Sequence, residues 1–98
     1  MKSVSKVEII IDSLEVKHVV KFLDEIGVSG YSIFNDVIGK GHRGIRSGFE
    51  LTDLFKNSYI MVVCDEKEMH KIVEAIRPII KKSGGICIVS DVVTRIDQ

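Results

Sequence analysis

The chain has 98 residues, 45% of them apolar, with 14 Lys plus Arg set against 14 Asp plus Glu. That length supports one domain, taken as residues 1–98, with a single modest core, and the apolar share excludes a disordered or fibrous chain. A net charge of zero argues against a nucleic-acid binder working through a broad basic surface, because phosphate contacts need an excess of cations.

No apolar run reaches the length that crosses a bilayer, and the N-terminus lacks the apolar region of a signal peptide, so a cytosolic protein is expected. Cys64 and Cys87 each sit in a strand-like apolar run. With neither C-x-x-C nor nearby histidine spacing, they read as small core hydrophobes rather than as a disulfide or a metal pair.

In chain order, Lys6–Asp12 alternates, with Val7, Ile9 and Ile11 on one face and Lys6, Glu8 and Ile10 on the other; the period of two predicts a strand. Asp12 to Glu15 is a D-x-x-E start signal resembling a capping box. Val16, Val19, Val20, Leu23 and Ile26 follow at helical spacing, and Gly27 is a natural stop. Gly30–Ile38 returns to strand composition. Ser58–Cys64 is apolar on both faces, so it is expected to be central under two layers or buried by another subunit. Asp65 to Glu68 repeats the start signal, and Met69, Ile72, Val73, Ile76 and Ile80 form the stripe of a second helix. Pro78 should remove one hydrogen bond and kink or tighten the last turns. Ser83-Gly84-Gly85 ends that helix, and Gly85–Ile96 reads as a last long strand.

The order β-α-β, β-α-β is the split-βαβ pattern of ferredoxin-like α+β domains: an antiparallel sheet, βαββαβ, with two helices on one face. The other face would carry Ile10, Phe34, Tyr59 or Met61, and Val63. A whole apolar face is too much for a monomer in water, so an oligomer is expected to cover it.

Between the second and third strands lies Ile38-Gly-Lys-Gly-His-Arg-Gly-Ile-Arg-Ser-Gly-Phe49, followed by polar residues to about Lys56. A connection of that length in a small domain is usually functional or disordered. Its glycines let backbone approach a ligand, and Lys40, His42, Arg43 and Arg46 can meet phosphate or carboxylate. Together with Ser83-Gly84-Gly85 it could form a phosphate cradle of exposed backbone N–H groups and cations; a glycine-rich surface loop explains the same residues equally well. There is no P-loop, since no G-K-[ST] follows four spacer residues. Enzyme chemistry is not expected. His18 and His70 fall on helices as solvated or partly packed residues, His42 can add a hydrogen bond to an anion, and no carboxylate pair or histidine cluster suggests a metal.

Taken together, Gly30-Tyr-Ser-Ile, Gly39-Lys-Gly-His-Arg-Gly-Ile-Arg-Ser and Gly84-Gly-Ile-Cys-Ile-Val-Ser-Asp-Val resemble the PII signalling superfamily. The likeness is to its PII-like branch, the SbtB-type regulators associated with bicarbonate transport, in which a G-K-G-x-R-x-x-R-S run opens the flexible T-loop. It extends from Lys6 to about Ile96. The resemblance implies a homotrimer of ferredoxin-like subunits with adenine-nucleotide sites in the clefts between neighbours, and a T-loop at about 39–57. Carried over by position, Gly39, Lys40 and Gly41 form the T-loop base near the phosphates, with His42 beside them. Arg43 and Arg46 become phosphate or loop-locking cations, Ser32 a contact to base or ribose, Gly84 and Gly85 the loop after the second helix, and Arg95 a basic position near the end.

The nitrogen-type members of that superfamily carry G-D-G-K before the last strand, whereas Lys81-Lys-Ser-Gly-Gly here has its lysines earlier. The ligand implied is therefore AMP, ADP or cyclic AMP ahead of magnesium-bound ATP, with no metal. No tyrosine stands in the loop for uridylylation. The implied role is control of a membrane transporter or an enzyme, with bicarbonate as a candidate co-effector and recruitment to the inner face of the membrane. Two other readings stand beside it: a CutA-like trimeric metal-binding protein, or a structural subunit without nucleotide.

Overall fold

The computed structural model describes residues 2–39 and 56–96. Four strands and two helices follow in the order β1 (Lys2–Asp12), α1 (Val16–Ile26), β2 (Ser32–Val37), β3 (Asn57–Cys64), α2 (Glu66–Ser83) and β4 (Ile86–Thr94), with a short 3₁₀ turn, Ser13–Glu15, between β1 and α1. The strands form one antiparallel sheet in the order β2-β3-β1-β4. This is the ferredoxin-like arrangement expected from the element order.

Register explains why the core lies on one side. Val7 pairs with Val62 and Val89, and Ile9 with Ile60 and Cys87, so these side chains share a face. Val7, Ile9, Ile11, Ile60 and Val62 are fully buried there beneath Val19 and Leu23 of α1 and Ile72 and Ile76 of α2. Each such side chain contributes about 1.5–3 kcal/mol by leaving water. The helical stripes read from sequence thus reach the core through their central members, and Ile26, Met69 and Ile80 pack at its margin.

The second face carries Ile10, Tyr59 and Ile86 in one row, Glu8, Met61, Ile88 and Ser32 in the next, and Phe34 beside Tyr59. Phe34, Ile86, Ile88 and Val63 are all exposed. In the middle of this face the Tyr59 hydroxyl donates to Oε2 of Glu8 at 2.7 Å, and the rings of Phe34 and Tyr59 tilt together at 5.6 Å. The carboxylate beside it pushes the Tyr59 phenol above its ordinary range, with partial burial adding to the effect.

Two local details differ from the sequence expectation. β1 starts at Lys2 rather than Lys6, because Lys2–Ser5 pair with Asp91–Thr94 of the long last strand; tertiary pairing recruits a segment with no clear alternation of its own. The first start signal does not become a capping box. Asp12 accepts from the Leu14 N–H at 2.9 Å and starts the 3₁₀ turn, while α1 begins after Glu15 without a side-chain cap. Around Asp65 both halves of the box form, at 2.7 and 3.1 Å. Pro78 stands inside α2, which nonetheless runs to Ser83.

Candidate functional site

The antiparallel order brings four strand ends to one end of the sheet. β1 finishes there at Asp12, opposite Asn57 at the start of β3; Val37 at the end of β2 also pairs with Asn57, and Ile86 at the start of β4 pairs with Ile10. Gly39 therefore leaves β2 at the same end of the molecule as Gly84-Gly85 enters β4. The two strands are three spacings apart, about 14 Å in the hydrogen-bonding direction.

Each segment reaches that end with a backbone its residues require. Between Phe34 and Val37 the register with β3 shifts by one residue, a bulge that bends an edge strand, and Asp36 takes φ 59 within it. Its carboxylate lies 3.6 Å from Nζ of Lys56 in an exposed pair, worth little by itself. At the other segment Gly84 has φ 81 and Gly85 φ 119. A Cβ on Gly85 would lie 2.5 Å from the Ile10 carbonyl oxygen, so the last strand can start beside β1 only without a side chain there.

Side-chain networks connect these segments. The Ser58 hydroxyl, fully buried, donates to Oδ1 of Asn35 at 2.9 Å. Its one proton is then committed, so the Ser13 hydroxyl donates to Ser58 across 2.7 Å. The Ser13 N–H also donates to the Lys56 carbonyl at 2.8 Å. Two residues further on, Glu15 accepts from the Ser83 hydroxyl at 2.7 Å and lies 2.6 Å from Nδ1 of His18. The Ser83 hydrogen bond, then that of His18, holds the Glu15 carboxyl below its usual range.

Of the expected site residues, Gly39, Gly84 and Gly85 stand at this end, and Ser32 is exposed on the uncovered face opposite Met61. Arg95 follows β4 at the opposite end, about 30 Å from Gly85 along a nine-residue strand. Lys40, Gly41, His42, Arg43 and Arg46 lie outside the described residues. Sequence reasoning missed Glu15, Ser13, Asn35 and Ser58. Ser58 left a signal, a polar residue on the core side of an apolar strand; Glu15 gave a misleading one by imitating a capping box.

The remaining chemistry is quiet. Burial, with help from Glu68 and Asp65, pushes the Cys64 thiol up to about 11, and burial raises Cys87 against the opposing effect of Arg77. Both therefore stay protonated at neutral pH, which is not the state of a nucleophile or a metal ligand. Among the described residues no group of three or more His, Cys, Asp or Glu is placed to hold a metal ion, and no helix is long and apolar enough to cross a membrane.

An antiparallel sheet with two helices on one face, its strands joined in βαββαβ order, defines a ferredoxin-like α+β domain. The family model described as Nitrogen regulatory protein P-II matches residues 4–97, and the chain belongs to that family, whose members are signalling proteins. Among curated proteins it is 29% identical over 77 residues to the UPF0166 protein MJ1524 of Methanocaldococcus jannaschii, covering 76% of this chain and 70% of that one. Among solved structures, CPII of Thiomonas intermedia K12 bound to ADP and bicarbonate is 27% identical, with a TM-score of 0.79 over 93% of this chain and 87% of that one. The same protein bound to ADP, AMP and bicarbonate gives 25% identity and a TM-score of 0.81 with the same coverage.

Proposed function

We propose that this PII-like regulatory protein binds an adenine nucleotide, AMP, ADP or cyclic AMP in preference to magnesium-bound ATP, in clefts between the subunits of a homotrimer. The observation that carries the reading is the convergence of Gly39 and Gly84-Gly85 on one end of the sheet. Each segment can present backbone N–H groups to phosphates, and because they lie at opposite edges of the sheet, a cleft between subunits would bring one copy's Gly39 toward a neighbour's Gly84-Gly85. The ADP, AMP and bicarbonate bound by CPII support the ligand class and make bicarbonate a candidate co-effector.

A homotrimer also gives Arg95 a role. It is too far from Gly85 to join it in one chain, so it serves the cleft of a neighbouring copy. Ser32 contributes to base or ribose from the uncovered face. Lys40, Gly41, His42, Arg43 and Arg46 supply the base of a T-loop at about 39–57, and the loop's posture reports the ligand to a partner, a membrane transporter or an enzyme. Signalling then requires different affinities for two postures, since a ligand that binds both equally shifts nothing.

Isothermal titration with AMP, ADP, cyclic AMP and ATP, each with and without bicarbonate, tests the reading. Micromolar binding of a mono- or diphosphate is expected. Arg43→Ala should weaken it by about 1.5–3 kcal/mol through loss of a charge-assisted contact. No heat with any nucleotide, or an unchanged affinity in Arg43→Ala, would count against the assignment.

A further inference from the structure

We infer that Glu15 is a positioning residue for the glycine loop at Gly84-Gly85, acting through Ser83, so that phosphate affinity depends on a side chain that touches no ligand. The inference rests on the nucleotide reading above.

The geometry is specific. Glu15 closes the 3₁₀ turn and is 68 positions from Ser83 in the chain, yet its Oε2 accepts from the Ser83 hydroxyl at 2.7 Å while Oε1 meets His18 at 2.6 Å. Its side chain is 18% exposed, against 67% for His18. Ser83 is the last residue of α2, and the next two residues are glycines at φ 81 and φ 119. Glycines carry no side chain that could hold them, so such a segment is placed by what fixes its ends. The far end is set by the close approach of Gly85 to the Ile10 carbonyl. The near end is set by the Gly84 N–H donating to the Ile80 carbonyl at 2.7 Å and by the Ser83–Glu15 bond.

Glu15 is the N-cap residue of α1, where the helix dipole favours a carboxylate, but that dipole does not account for the bond from Ser83 across the fold. The C-terminus of α2 is the negative end of the helix dipole, where cations are favoured, and Lys81 and Lys82 already occupy its last turn. At that end the α2 dipole opposes the anion, while the Ser83 and His18 hydrogen bonds hold it and the charges of His18 and Lys82 favour it, the same contacts that lower its pKa. Nor does Glu15 complete the cap its spacing suggests, because Asp12 remains in the β1–β3 ladder opposite Asn57. The same three-residue turn grips the other glycine segment's supports, through Ser13 to Ser58, Asn35 and the Lys56 carbonyl. One turn thus bonds to the supports of both glycine segments.

The test is titration calorimetry of adenosine, AMP and ADP against the wild type, Glu15→Ala, Glu15→Gln and Ser83→Ala, with melting temperatures measured in parallel. If the loop meets phosphate, Glu15→Ala and Ser83→Ala should each weaken ADP by about three- to tenfold, the range of one lost hydrogen bond. AMP should weaken less and adenosine not at all. Glu15→Gln keeps one acceptor oxygen and should recover part of the loss. Glu74→Gln, which breaks only the exposed pair with Arg77 on α2, should leave ADP binding unchanged. Wild-type binding with equal ADP affinity in Glu15→Ala and Ser83→Ala would overturn the inference and leave the nucleotide reading standing. So would an equal loss for adenosine and ADP, the mark of general loosening. A wild type that binds no nucleotide would remove the reading itself.

Discussion

Gly85 shows how one residue can satisfy two arguments at once. Its sequence context pointed to a phosphate cradle, while its surroundings require glycine whether or not a ligand is ever bound. A Cβ would press 2.5 Å from the Ile10 carbonyl oxygen, a backbone atom that cannot swing aside, at a φ of 119 that L-residues avoid. Gly85→Ala should therefore destabilise the fold by about 2 kcal/mol or more, visible as a lower midpoint in urea unfolding of the unliganded protein. Gly39 is the control: a Cβ there meets nothing within 4 Å, so Gly39→Ala should change the unfolding free energy by no more than about 0.5 kcal/mol. If Gly85→Ala unfolds at the wild-type midpoint, the close approach to Ile10 is not a constraint, and the ligand argument alone would remain for that glycine.

At the scale of elements, the two D-x-x-E signals separate what local sequence determines from what packing decides. Asp65 and Glu68 exchange hydrogen bonds as a capping box, because Asp65 stands between β3 and α2, outside both. Asp12 is the last residue of β1, so its backbone stays in the sheet and the same four-residue pattern becomes a 3₁₀ turn. Asp65→Ala should cost about 1 kcal/mol by removing a complete cap, and Asp12→Ala less, since only the Leu14 N–H loses its acceptor. Chemical denaturation of the two variants checks the order; a larger loss at Asp12 would mean that the turn is the more important element. The stripes Val19-Leu23 and Ile72-Ile76 and the alternation of Val7, Ile9 and Ile11 were legible because a period of 3.6 or 2 is written in adjacent residues. The Lys2–Ser5 extension of β1, the bulge at Asp36 and the Glu15–Ser83 bond were not, since each depends on a residue remote in the chain. The candidate site divides along the same line: its glycines and cations announce themselves in the sequence, whereas the hydrogen bonds around Gly84-Gly85 and at Asn35 and Ser58 do not.

The whole molecule has one finished face and one unfinished. On the helix side ten apolar residues among those described form the core, while the other side leaves Phe34, Ile86, Ile88 and Val63 exposed around Ile10 and Met61. A contiguous apolar face of this kind is normally covered by another chain, and a homotrimer would cover it with copies of itself. The Glu8–Tyr59 bond fits such covering. A carboxylate taken out of water is costly unless it keeps a donor, and the raised pKa of Tyr59 keeps that donor protonated across the neutral range. Ile88 pairs directly with Glu8 in the sheet, so Ile88→Asp would set a second carboxylate beside the first with no further donor. Each covered copy would then carry an unpaired charge costing several kcal/mol, enough to dissociate the assembly at micromolar concentration. Sedimentation velocity should show a trimer for the wild type and a monomer for Ile88→Asp, with unchanged far-ultraviolet circular dichroism because the helix-side core is untouched. An Ile88→Asp protein that sediments with the wild type would place the subunit contact elsewhere, and a monomeric wild type would mean that the face stays open to solvent.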